Sequence, residues 1–228
     1  MATAPAGVEA QKQAAANRAL ELVKPGSTVG LGTGSTARYF IEGLAARVRN
    51  GLEVQAVATS RESRTQAEAG GIPVTEKVDG WLDLAVDGAD EIDPVVNCVK
   101  GRGGALLREK IVAHASRRFV LIADESKLVG RLGRGPIPVE VLPFLWEATG
   151  RSIESLGGRP ALRMTPGGPF KTDNGNLVLD TSFGAVDAAL GLALHAIPGV
   201  IEHGLFFGMA RTAIVGCATG VRILGELP

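Results

Sequence analysis

This chain is short of most features that announce a function at once. It has no net charge: 24 Lys and Arg balance 24 Asp and Glu. That balance provides no electrostatic footprint for nucleic acid or an anionic membrane, although a local basic pocket remains compatible with it. Cys98 and Cys217 are its only cysteines. Two thiols so far apart do not make a disulfide framework, so reduced cysteines are expected. The three histidines, His114, His195 and His203, are scattered without metal-ligand spacing. No apolar run approaches the roughly 20 residues of a membrane span. The start, Met1 to Gly7, lacks a basic segment followed by an apolar core, so no secretory leader is expected. Repeats and low-complexity tracts are absent as well. The expectation is a cytoplasmic protein with no nucleic-acid or membrane partner.

What is present is an ordinary globular composition, 45% hydrophobic and 21% charged over 228 residues. That length suits one large domain, or a large one with a smaller companion. Residues 8 to 23 read as a helix stopped by Pro25-Gly26. Thr28 to Leu31 reads as a buried strand, followed by a Gly/Thr/Ser loop and a helix over about 37–48. Val54 to Ala58 reads as strand, Ser60 as the cap of a helix ending at Gly70-Gly71, and Leu82 to Val86 as strand. Asn97 to Val99 reads as a short strand, about 104–116 as helix and Phe119 to Ala123 as strand. Strand, loop and helix in alternation imply a parallel sheet covered on both faces.

The texture changes at the glycine- and proline-rich stretch Arg131 to Pro136. Beyond it the pattern is strand (137–142), helix (144–156), two strands (161–164 and 177–179), helix (186–196) and strand (200–204). This β-α-β-β-α-β order is the ferredoxin-like arrangement. The apolar run Ala213 to Val215 can return to the first sheet. The expected architecture is therefore α/β: a Rossmann-like parallel sheet over 1–131 and 206–228, with a smaller ferredoxin-like α+β domain over 132–205.

Three loops carry chemistry. Gly32-Thr33-Gly34-Ser35-Thr36 lies between a strand and a helix, where free backbone N–H groups and the helix dipole attract anions. The stretch fits G-x-G-x-x-A, but the acid expected at the end of the next strand is missing, since that end is Thr59-Ser60. No Lys follows Gly34, so it is not a nucleoside-triphosphate loop either. A small phosphate ester suits it best; a plain capped turn is the alternative.

Asp87 and Asp90 stand at the carboxyl end of an apolar strand, with Glu91, Asp93 and Lys100 close by. Crowded carboxylates raise one another's pKa. Three readings remain: a solvated acidic turn, to which Glu91 and Asp93 are assigned; a Mg²⁺ site, against which the lysine argues; and acid/base chemistry on sugar hydroxyls, favoured for Asp87 and Asp90. Glu109, early on its helix, shares a face with Ala105, Leu106, Val112 and Ala113. It has no salt-bridge partner there, which suits a general base, although a solvated glutamate fits as well. Lys127 ends the strand from Phe119 on the same sheet edge, where it can meet a phosphate or lie on the surface.

Taken together these segments resemble the type A ribose-5-phosphate isomerase family. The resemblance runs through Gly30 to Ala37, Asp87 to Ile92, Lys100 to Ile111, Ile122 to Lys127, Pro138 to Val141, Leu156 to Pro160, Thr172 to Asn176, Ile197 to Val200 and Gly204 to Phe206. It implies interconversion of ribose 5-phosphate and ribulose 5-phosphate in the pentose phosphate pathway, with no metal or other cofactor. By position, Glu109 is then the base acting between C1 and C2, and Asp87 assists ring opening or hydroxyl proton transfer. Asp90 and Lys100 hold hydroxyls and the developing oxyanion. Thr33, Gly34, Ser35, Thr36 and Lys127 bind the phosphate end, with Lys12 as a helper, and Gly88, Ala89, Gly101, Arg102 and Gly103 complete the substrate site. The resemblance also implies a homodimer or larger homo-oligomer. Arg102 replaces a glycine frequent in the family, so the local loop shape there is open. Two other classes are weighed beside it: a sugar-phosphate sensor without catalysis, and an acyl-CoA-type transferase on a related α/β fold.

Overall fold

The computed structural model describes residues 7–226; the amino-terminal segment read for a leader lies almost wholly outside that range. Helix α1 (Val8–Leu20) leads into β1 (Thr28–Leu31), α2 (Ser35–Arg49), β2 (Gln55–Ala58), α3 (Arg61–Ala69) and β3 (Leu84–Gly88). Ser60 caps α3 as expected, accepting the Ser63 N–H. Two short strands, β4 (Glu91–Ile92) and β5 (Cys98–Val99), precede α4 (Leu106–His114) and β6 (Phe119–Asp124), and a 3₁₀ turn spans Glu125–Lys127. The second half holds β7 (Ile137–Val141), α5 (Trp146–Ser155), β8 (Arg159–Leu162), β9 (Met164–Thr165), β10 (Gly168–Pro169), β11 (Leu177–Ser182), α6 (Ala188–His195) and β12 (Val200–His203). The chain closes through β13 (Leu205–Phe206), β14 (Thr212–Cys217) and β15 (Gly220–Gly225).

The large sheet has the order β15-β14-β6-β3-β1-β2. Its neighbours are parallel except for the β14–β15 edge pair. That edge departs from the all-parallel expectation for a simple reason. Only two turn residues join β14 to β15, and a parallel return needs a crossover of a dozen or more. Val120 and Ile122 face a core shared with α1 and α2, whereas Leu121 and Ala123 face another containing Val112, Cys98 and Phe206. Burial on both faces explains why β6 reads as an unbroken apolar run. The second face is covered partly by α4 and partly by a small antiparallel sheet, β13-β5-β4, which the sequence pattern did not reveal.

The second unit is a four-stranded sheet of order β12-β7-β11-β8, with α5 and α6 contributing Ile153 and Leu194 to its core. The β-α-β-β-α-β order is present, interrupted only by the β9–β10 hairpin. Helix α4 packs against β7 and β12, so the residue at its start lies between the two sheets.

Candidate active site

The carboxyl ends of β1, β3 and β6 lie side by side, and from them the Gly/Thr/Ser loop, the acidic loop and the turn bearing Lys127 all emerge at one edge. Open α/β sheets bind ligands there. A cleft of about 100 Å³ opens at this edge. A larger hollow of about 300 Å³ lies at the opposite strand ends, lined by Lys24, Asp83, Arg117 and Arg118, but its one carboxylate, Asp83, accepts the Thr28 N–H at 2.9 Å and is not buried.

At one end of the cleft is the start of α2, lined by Thr33, Gly34, Ser35 and Thr36, with Lys127 also on the wall. Gly34 caps the helix without a side chain, which leaves the first N–H groups open to an anion. Lys127 makes no ion pair among the described residues. The Thr33 hydroxyl is engaged elsewhere, bonding Thr59, Ser60 and Ser63 at 2.8, 2.9 and 3.2 Å. It shapes the loop, while Ser35 and Thr36 are left to supply hydroxyls. The other wall carries Gly88, Ala89, Asp90, Lys100, Gly101, Gly103 and Glu109.

Lys100 sits between two carboxylates. Its ammonium lies 2.9 Å from Asp87 Oδ2 and 3.4 Å from Glu109 Oε2, and it donates to the Gly88 carbonyl at 2.6 Å. Asp87, Lys100 and Glu109 are 2, 2 and 4% exposed, so one positive charge faces two buried negative ones. Asp87 Oδ2 and Glu109 Oε2 have no hydrogen-bond donor of their own and are held by charge alone. Burial pushes Glu109 up to about 8; Lys100 opposes the shift, and Asp87 and Asp90 add to it. Burial also raises Asp87, against Lys100 and the N–H groups of Thr33 and Gly88. Burial works against the charge on Lys100, but the two carboxylates outweigh it and raise its pKa.

Asp87 does not line the cleft. Its Oδ1 accepts the N–H groups of Thr33 and Gly88 at 3.0 and 2.7 Å, while Oδ2 faces the ammonium. Gly32 is required for this approach, since a Cβ there would overlap the Asp87 carboxylate. Asp90 does reach the cleft, and its Oδ2 accepts the Arg102 N–H at 3.0 Å.

Glu91, Arg102, Lys12 and two of the histidines depart from their expected places. Glu91, assigned to a solvated turn, is fully buried. It accepts the N–H groups of Gly133, Arg134 and Gly135 at 2.8, 3.1 and 2.7 Å, together with the Arg102 guanidinium at 2.8 Å. Arg102 is thus turned away from the cleft, and its backbone is not among the positive-φ residues, so its substitution for glycine brings no strain. Lys12 pairs with Glu9 at 2.7 Å and does not line the cleft. The histidines are not all scattered: α6 packs on β12 and brings His195 and His203 to 5.6 Å between ring centres, beside Glu202. The Lys110 ammonium fills that cluster, 2.6 Å from Glu202 Oε1. His114 lies apart, against Trp81.

Known proteins resemble this chain in sequence and in fold. The model of the family described as ribose 5-phosphate isomerase A (phosphoriboisomerase A) matches residues 55–220. The ribose-5-phosphate isomerase A of Nitrobacter hamburgensis is 51% identical, over 95% of this chain and 98% of its own. That of Thermomicrobium roseum is 50% identical, over 96% and 94%. Among solved structures, a D-ribose-5-phosphate isomerase in complex with phospho-erythronic acid superposes with a TM-score of 0.93 at 39% identity, covering 96% of this chain and 100% of its own. The ribose 5-phosphate isomerase A of Methanocaldococcus jannaschii gives 0.91 at 39% identity, covering 94% and 98%. With sequence and fold in agreement along nearly its whole length, this chain belongs to the ribose 5-phosphate isomerase A family of isomerases.

Proposed function

We propose that the chain interconverts D-ribose 5-phosphate and D-ribulose 5-phosphate through an enediolate, with Glu109 as the general base. One observation carries the reading: the Glu109 carboxyl is buried beside Lys100 in the same cleft as the open start of α2 and Lys127. The phosphate is held at the α2 end, which sets the sugar carbons against the far wall. There Glu109 takes the proton from one of C1 and C2 and returns it to the other. Its raised pKa suits this exchange near neutrality. The Lys100 ammonium stabilises the oxyanion that develops, and Asp90 orients the hydroxyls. Asp87 keeps Lys100 charged from behind, so any part it takes in ring opening runs through that ammonium. The phospho-erythronic acid complex of a relative supports a phosphorylated sugar chain as the ligand.

The same reading places the reaction in the non-oxidative branch of the pentose phosphate pathway and carries a cytoplasmic homodimer or larger homo-oligomer, both supported by family membership alone. It includes division of the chain into 1–131 with 206–228 and 132–205, supported by the two separate sheets. Incubation with ribose 5-phosphate in EDTA tests it: ketose is expected to form. Thermal stabilisation by the sugar phosphate without ketose would make the protein a sensor instead; neither effect would leave the transferase class. Ribose without phosphate is expected to lose turnover as well as affinity, because binding energy from the phosphate orients the reacting carbons. Lys100→Ala is expected to lower kcat more than it raises KM; an effect confined to KM would make Lys100 a ground-state binder.

A further inference from the structure

The Lys100–Gly104 loop is gripped from the other unit of the molecule. Arg163, between β8 and β9, forms a two-pronged pair with Asp180 of β11, with Nε to Oδ2 at 2.8 Å and Nη2 to Oδ1 at 2.5 Å. That pair fixes the guanidinium plane. The remaining nitrogen, Nη1, donates to the carbonyls of Gly101 at 3.3 Å and Arg102 at 2.9 Å. The same guanidinium lies 5.4 Å from the centre of the Phe170 ring. That ring is pressed so closely against Gly104 that a Cβ there would overlap it. The Arg163 side chain is 13% exposed, so this is no loose surface pair.

A trans peptide is planar and points its C=O and N–H in opposite directions. When Arg163 draws two successive carbonyls toward itself, the two N–H groups that follow point toward the cleft. One is the Arg102 N–H, which holds Asp90 Oδ2. The other is the Gly103 N–H, on a residue that lines the cleft, and it has no hydrogen-bond partner among the described residues. Gly103 is exposed at the cleft, so a ligand oxygen can take the place of water on that N–H.

We propose that Arg163, held by Asp180, is a positioning residue of the active site. It sets the two peptide planes of the glycine loop so that Asp90 is anchored and the Gly103 N–H is aimed at an oxygen on the reacting carbons. Arg163 touches no substrate; it acts through the loop. The loop has one internal bond, from the Gly104 N–H to the Gly101 carbonyl at 2.9 Å, and the clamp adds to it from outside. The inference rests on the isomerase reading.

The test compares wild type with Arg163→Met, Arg163→Lys, Arg163→Ala and Asp180→Asn on ribose 5-phosphate, following kcat, KM and melting temperature. Loss of the charge-assisted bonds in Arg163→Met is expected to cut kcat at least about tenfold while KM moves less than about threefold. Arg163→Lys is expected to be nearly as slow, because one ammonium cannot hold Asp180 and two carbonyls at once. Asp180→Asn, which keeps the guanidinium but loosens its plane, is expected to fall between. Millimolar guanidinium ion is expected to restore part of kcat in Arg163→Ala and to leave wild type unchanged, a readout that a purely folding defect would not give. A kcat within twofold of wild type in Arg163→Met would overturn the proposal, as would a loss seen only in KM and melting temperature without rescue. A wild-type enzyme that makes no ketose would instead sink the isomerase reading, so the two failures are distinguishable.

Discussion

Glu91 and Glu109 are both buried glutamates that flank one short stretch of chain, and they are treated in opposite ways. Glu91 is saturated: three backbone N–H groups and a guanidinium converge on its two oxygens. Glu109 has only the Lys100 ammonium at 3.4 Å, which it shares with Asp87. Burial is nearly equal, at 0 and 4% exposed, so burial does not separate them. Satisfaction does. A buried carboxylate with all its donors in place stabilises a loop and has no reason to exchange a proton. One with too few donors holds its proton more tightly than usual and can give and take it near neutral pH. Here the satisfied glutamate ties the 133–135 hinge to the acidic loop, and the unsatisfied one faces the cleft.

The sharpest way to break this comparison is to remove each charge in turn. Glu109→Gln is expected to lower kcat by about 10² to 10⁴, the range for loss of a general base, with the far-ultraviolet circular dichroism unchanged. Near-normal turnover would remove the assignment. Glu91→Ala should do its damage to the fold, costing about 3–5 kcal/mol in denaturant unfolding, since it leaves a half-buried guanidinium and three N–H groups without their acceptor. A stability within about 0.5 kcal/mol of wild type would show that the saturated network is dispensable.

Acidity gives a third, smaller test. In the folded chain Glu109 titrates at about 8, against an ordinary 4.5, because burial penalises its anion. A raised carboxylate pKa means the folded state binds the proton more tightly than the unfolded one. The contribution of Glu109 to folding stability is therefore intact below 4.5 and declines as pH rises toward 8, by at most about 1.4 kcal/mol per pH unit. Glu109→Gln lacks that decline, so its melting temperature should gain on wild type between pH 4.5 and 8, while wild-type kcat/KM rises over the same window. Parallel curves for the two proteins would contradict the strained state of Glu109. The smallest effect is expected from Arg102→Gly. It takes one partly exposed donor from Glu91 and leaves three, at a cost of about 1 kcal/mol by urea unfolding.

Much of the fold was legible in the chain. Thr28–Leu31 was read to the residue, Ser60 caps its helix as expected, and the β-α-β-β-α-β order after the hinge is present. These features come from local causes: apolar runs, a hydroxyl cap, glycine and proline at the stops. Asn97 to Val99 was legible as the strand β5, but its partners β4 and β13 were not, because strands of two residues carry no periodicity; the antiparallel edge strand β15 was also missed. The site was legible as a set of loops but not as an arrangement. No spacing rule says that Asp87 stands behind Lys100, that Arg102 turns to Glu91, or that Arg163 reaches across from the other sheet.

The sequence by itself determined which groups are available: the glycine loops, the carboxylates, one lysine among them, and their placement at strand ends that parallel packing brings to one edge. Only the tertiary structure decided what each group became. Burial and partner count are set by neighbours far along the chain, such as residues 133–135 for Glu91 and Lys100 for Glu109. Those two quantities make one glutamate a fastener and leave the other able to move a proton.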